Sequence, residues 1–159
     1  MTDRYFLYAD DAEAQQKELE IIESLAEDGL FVDLAFPVDG SSLYKDALRP
    51  PLGYLPADVV EWSRVNQLEV RGMNAPVTFG SGEFVGQVKQ GALNDCYLLS
   101  ALATISTKQD LCRALIVSDD QRGRGMYTVK FYKAGKWYYV HVDDRIPCNR
   151  SGDVYYSSR

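Results

Sequence analysis

The chain has 159 residues, 46% of them hydrophobic and 25% charged, enough for one compact soluble domain with its own core. Its formal net charge of −6, with the few cations interspersed among acids, excludes nucleic-acid binding through a basic stripe. No apolar run reaches the length of a membrane span, and the N-terminus, Met1-Thr2-Asp3-Arg4-Tyr5-Phe6, lacks the basic and apolar regions of a secretory signal. Cys96, Cys112 and Cys148 are an odd set without framework spacing, which predicts free thiols in a reducing compartment and a cytoplasmic protein.

In chain order, residues 12–27 read as an amphipathic helix with Leu19, Ile22, Leu25 and Ala26 on its docking face, stopped by Gly29. From Phe31 to about Gly86, prolines, glycines and serines (Pro37, Gly40, Ser41, Ser42, Pro50, Pro51, Gly53, Pro56) predict extended chain and turns laid over a core. The glycine-rich stretch from Thr78 to Gly86 lacks the Lys-Ser/Thr ending of a phosphate loop and reads as an ordinary loop. Asn94 and Asp95 offer a cap for a helix beginning near Cys96, apolar almost all round and therefore expected to be buried. A short helix is predicted from Asp110 to Ile116, with Cys112 in its apolar part, and a loop from Ser118 to Gly125.

Residues 126–132 and 136–142 alternate with period two around Ala134-Gly135, a hairpin. Tyr138, Val140 and Val142 share one face of its second strand, which puts His141 on the other. Pro147 is expected to end that run, leaving Cys148 in a loop as an inert thiol before a strand-like Val154-Tyr155-Tyr156. Helix, irregular wrap, central helix and hairpin together make an α+β arrangement.

The chemistry concentrates in Gln90-Gly91-Ala92-Leu93-Asn94-Asp95-Cys96-Tyr97-Leu98-Leu99. A cysteine in the first turn of a helix meets the positive end of the helix dipole and unpaired N–H groups. Both favour thiolate over thiol, and the thiolate is the nucleophile. Gln90, with the Cys96 backbone N–H, could stabilise the oxyanion of an acyl-transfer intermediate. On these residues alone, Cys96 reads equally well as a small hydrophobe.

This segment resembles the active-site cysteine motif of calpains. The resemblance extends to Phe31-Val32-Asp33 with Phe36-Pro37 and Ser42-Leu43-Tyr44, to Trp62-Ser63-Arg64, and to Gly125-Met126-Tyr127-Thr128-Val129-Lys130-Phe131 with Gly135-Lys136-Trp137. It ends at Val142-Asp143-Asp144-Arg145-Ile146-Pro147. It implies a papain-like catalytic-core half: an N-terminal helical segment over residues 1–30, then the first, cysteine-bearing subdomain over residues 31–159. It also implies Cys96 as nucleophile, Gln90 as oxyanion donor, and a protein or peptide substrate. Two positions depart from the family pattern: Asn94 stands where calpains usually have glycine, and Tyr97 where they have tryptophan.

A cysteine protease also needs a base and a group to orient it, and in papain-like enzymes that His and Asn follow the cysteine by roughly 130–150 residues. The sequence stops at Arg159. A second subdomain supplying both is therefore expected as partner, with this chain inactive alone. The one histidine, His141, belongs to the hairpin and is not expected to act as base. Asp143 and Asp144 point to opposite faces and read as turn or salt-bridge residues. No cofactor is predicted. The resemblance raises calcium, but the family's carboxylate ligand nine residues before the cysteine is Gln87 here, a poorer hard-cation ligand, so binding is expected to be weak or absent. The alternatives are a non-catalytic calpain-like interaction module and, more remotely, a thiol redox protein, for which Cys96 lacks a Cys-x-x-Cys partner.

Overall fold

The computed structural model describes residues 6–43, 61–70, 96–149 and 151–155. The elements in order are α1 (Asp11–Glu23), a 3₁₀ turn (Gly40–Ser42), β1 (Glu61–Arg64), α2 (Val65–Val70), α3 (Cys96–Ser106), α4 (Gln109–Leu115), β2 (Ile116–Ser118), a 3₁₀ turn (Arg122–Arg124), β3 (Met126–Lys133), β4 (Lys136–Asp143) and β5 (Arg145–Cys148). The expected α+β class is what these elements form. They divide into two compact units, one built from Met1–Ala35 with Asp110–Asp144, the other from Phe36–Gln109 with Arg145–Arg159.

The first unit is a three-stranded antiparallel sheet in the order β2-β3-β4, with α1 packed against β2 and β3. The hairpin forms around the expected Ala134-Gly135: Lys133 pairs Lys136 across a two-residue turn, and the pairing runs down to Met126 and Asp143. Both turn residues have positive φ, Ala134 at 50° and Gly135 at 80°, the sign pattern of a type I′ turn that matches strand twist. Phe6 pairs with Tyr139 through two backbone hydrogen bonds of 3.0 Å, covering part of the outer edge of β4.

Helix α1 starts where Asp10 accepts a hydrogen bond from the Glu13 N–H at 2.9 Å, while the Glu13 carboxylate accepts from Ala9 N–H at 2.6 Å. It ends at Glu23, four residues short of the expected end at Glu27. Its docking face keeps part of the expected one: Ala14 and Glu18 are buried and Ile22 and Leu25 half-buried, while Leu19 is 44% exposed and Ala26 is exposed. The reason is polar. Gln15 donates to Val117 O at 3.0 Å, Asp11 accepts from Lys130 at 2.6 Å and from the Tyr139 hydroxyl at 2.9 Å, and Glu18 is bonded by two hydroxyls of the sheet. These contacts set the helix's rotation against the pull of its leucine stripe. Beyond the helix, the Arg124 guanidinium donates to Gly29 O at 2.6 Å and Ala26 O at 2.8 Å, and Asp143 accepts from the Asp33 N–H at 2.9 Å.

In the second unit, β1 and β5 pair antiparallel, Trp62 opposite Pro147. Pro147 was expected to end a strand; it lies inside one, which a two-stranded ribbon tolerates because both strands are edges. Cys148, expected in a loop, is the last residue of β5 and fully buried, its Sγ 3.4 Å from Ile146 O. The six-residue α2 falls in the stretch read as extended chain and is anchored by Leu68, 1% exposed. Phe36 meets Trp62 edge-on with ring centroids 6.0 Å apart.

Candidate active site

Helix α3 begins at Cys96, where the Asn94-Asp95 pair predicts it, and runs eleven residues to Ser106. Leu99, Leu102, Ile105 and Ser106 recur three or four apart as its less exposed side. Cys96 stands three residues before Leu99, at the N-terminal end of that side, and is solvent-exposed. The helix is less enclosed than its composition predicts: Leu99 is 7% exposed, but Leu98 is 44% and Tyr97 78% exposed. A thiol at an open helix start can be reached by a polypeptide carbonyl. Gln90, Asn94, Asp95, Gln87 and the Thr78–Gly86 loop lie outside the described residues, as does the oxyanion geometry expected of Gln90.

His141 lies on the strand face expected, and it is 5% exposed. Its Nε2 is 3.0 Å from the Tyr8 hydroxyl and its Nδ1 is 2.9 Å from Thr128 Oγ1. Thr128 directs its one hydroxyl proton to Glu18 Oε2, and Ser118 donates to Glu18 Oε1 at 2.8 Å. The Thr128 oxygen must then accept from His141 Nδ1–H, which leaves Nε2 to accept from Tyr8. The result is a directional chain, Tyr8 to His141 to Thr128 to Glu18, closed by Ser118. Both imidazole nitrogens are engaged, so His141 has no nitrogen to offer as a general base. The residue composition gave no hint of this chain. Its one readable trace is that Thr128 and His141 fall opposite each other in the hairpin register.

Burial holds the His141 pKa below its usual 6.5, with the Asp33 carboxylate pulling the other way. A histidine with a depressed folded-state pKa contributes stability that is full above the unfolded value and lost as pH falls through the folded one. Unfolding temperature is therefore expected to drop as pH falls below about 6.5. A His141→Gln chain should lose that dependence between about pH 6.5 and 5, a range above ordinary carboxylate titration. If its profile there parallels the parent's, His141 is not the titrating group. At the alkaline end, burial raises Tyr8, and burial with the Asp11 hydrogen bond pushes Tyr139 up to about 12.

Of the acids near the end of the hairpin, Asp143 accepts from the Asp33 N–H, Asp33 accepts from the Ala35 N–H at 2.9 Å, and Asp144 is buried. Among the described residues, no three His, Cys, Asp or Glu side chains converge as a cation site. No helix among them is long and apolar enough to cross a membrane. Cys112 is half-buried.

An α+β chain with an exposed cysteine at the head of a helix, followed by an antiparallel hairpin, has the layout of a thiol-protease core half. The family model described as calpain family cysteine protease matches residues 31–159. Among curated proteins, the chain is 36% identical over 124 residues to the calpain-type cysteine protease ADL1 of Oryza sativa subsp. japonica, covering 77% of this chain and 6% of that protein. It is 35% identical over 124 residues to calpain-10 of Mus musculus (75% of this chain, 18% of that one), and 29% identical over 148 residues to calpain-A of Drosophila melanogaster (91% and 16%). The chain belongs to the calpain family of cysteine proteases. It spans less than a fifth of the length of these relatives.

Proposed function

We propose that this chain is the nucleophile-bearing half of a calpain-type endopeptidase, with Cys96 attacking the peptide carbonyl. The observation that carries this reading is the exposed Cys96 as first residue of α3, inside the segment matched by the family model. The sulfur adds to the carbonyl carbon, and Gln90 with the Cys96 N–H stabilises the resulting oxyanion. Collapse of the tetrahedral intermediate expels the amine, which takes a proton from the base, and leaves a thioester that water hydrolyses. The base and its orienting group are a His and an Asn on a second subdomain. His141 cannot replace them, because Tyr8 and Thr128 occupy both of its nitrogens. The free thiols of Cys96, Cys112 and Cys148 fit a reducing, cytoplasmic setting.

The test is complementation. The chain alone is expected to leave a fluorogenic peptide uncut, and the chain joined to a calpain second subdomain carrying the His and Asn is expected to cleave it. Cysteine-dependent turnover by the chain alone would refute the two-half reading. A folded fusion without turnover would favour an interaction module instead.

A further inference from the structure

We propose that the turn end of the β3–β4 hairpin is a docking surface for an anionic lipid bilayer. Residues 130–137 read Lys-Phe-Tyr-Lys-Ala-Gly-Lys-Trp: three lysines, three aromatics and no acid, in a chain of formal net charge −6. An anionic surface thus attracts this end and repels the rest, which orients the approach.

The register sorts the side chains. On one face Tyr132 lies opposite Trp137, with ring centroids 5.2 Å apart and edge to face; on the other, Lys133 lies opposite Lys136 beside Phe131. Tyr132 is 63% exposed, Phe131 48% and Trp137 43%, so apolar ring surface faces water on both sides of the tip. Lys130, ion-paired to Asp11, sits 5.2 Å from the Trp137 ring centroid and fixes one side of the ring.

Like charges directly opposite in an antiparallel pair destabilise it. No salt bridge among the described residues engages Lys133 or Lys136. An anionic partner would relieve that repulsion. The tip is also narrow, two strands about 5 Å apart, far short of the roughly 800 Å² per side of a standard protein interface. Amphipathic Trp and Tyr rings flanked by lysines are the composition that settles at a headgroup boundary, rings among the acyl ends and ammonium groups among the phosphates. The two-residue turn presents them rigidly.

The experiment is co-sedimentation of the full chain with vesicles of equal parts phosphatidylcholine and phosphatidylserine, against vesicles of phosphatidylcholine alone. Binding is expected to the mixed vesicles only, weakening with salt. The Lys133→Glu/Lys136→Glu chain should bind roughly thirtyfold or more weakly with its unfolding temperature unchanged. Trp137→Ala should also weaken sedimentation. In a Trp62→Phe chain, emission from the remaining tryptophan should shift to shorter wavelength on binding. Equal binding to both vesicles, no binding to either, or retained binding by the double-glutamate chain would overturn the proposal. So would reproduction of the emission shift by inorganic phosphate alone, which would mark a phosphate site, or a dimer abolished by Trp137→Ala, which would mark a contact between copies.

Discussion

Replacing Cys96 by alanine, in the chain joined to a His- and Asn-bearing second subdomain, is expected to lower peptide turnover about 10⁶-fold, the scale seen when a hydrolase loses its nucleophile. The fold should survive. Cys96 is exposed, and alanine favours a helix start at least as well, so unfolding should move by no more than about 0.5 kcal/mol. In the same fusion Gln90→Ala should cost about 10²–10³-fold, the usual loss for one oxyanion donor. The two losses separate the roles: without sulfur no covalent step exists, whereas without the amide that step is only less well stabilised. Turnover within tenfold of the parent after Cys96→Ala would remove Cys96 from the mechanism.

The second large effect lies in the buried polar chain. Thr128→Val keeps side-chain shape at a fully buried position and deletes the one hydroxyl that joins Glu18 to His141. Glu18 Oε2 then loses its donor and His141 Nδ1–H its acceptor, both out of reach of solvent. Each buried orphan costs about 1–3 kcal/mol, more for a charged group, so urea denaturation should show a loss of about 3–5 kcal/mol. Thr128→Ser, which keeps the hydroxyl, should recover most of it. Adding Glu18→Leu to Thr128→Val should also recover part of the loss, because removing both partners is cheaper than stranding one. A Thr128→Val cost under 1 kcal/mol would mean the network is not holding α1.

The hairpin was legible because its signals are local: strict alternation on both sides of Ala134-Gly135 fixed the strands, the turn and the side of His141. The start of α3 was legible for the same reason. Burial was not, because it depends on what surrounds an element; an apolar helix announces an appetite for cover, not its presence. The sequence misleads on the rotation of α1 because Leu19 completes an obvious stripe with Ile22, while Glu18 becomes a core residue only through Ser118 and Thr128, about a hundred positions away. Pro147 and Cys148 were misplaced because a proline reads as a stop until the strand opposite it, Glu61–Arg64, is known. The Cys96 motif could be read as chemistry from its resemblance; helix position alone left it even with a small core residue.

The first unit is assembled from the two ends of a long excursion: Glu18 meets Ser118 across a separation of 100 residues and Tyr8 meets His141 across 133. Closing a loop of that size costs about 4 kcal/mol of chain entropy, which local contacts cannot offset early. On a ribosome adding roughly 5–20 residues per second, α1 emerges about 5–20 seconds before the strands it docks on. Its docking face, with Asp11, Gln15 and Glu18 around Ala14, suits that delay, since water can satisfy those polar groups until the strands arrive. The carboxylate that this fastening buries in the finished protein stays, during synthesis, in water.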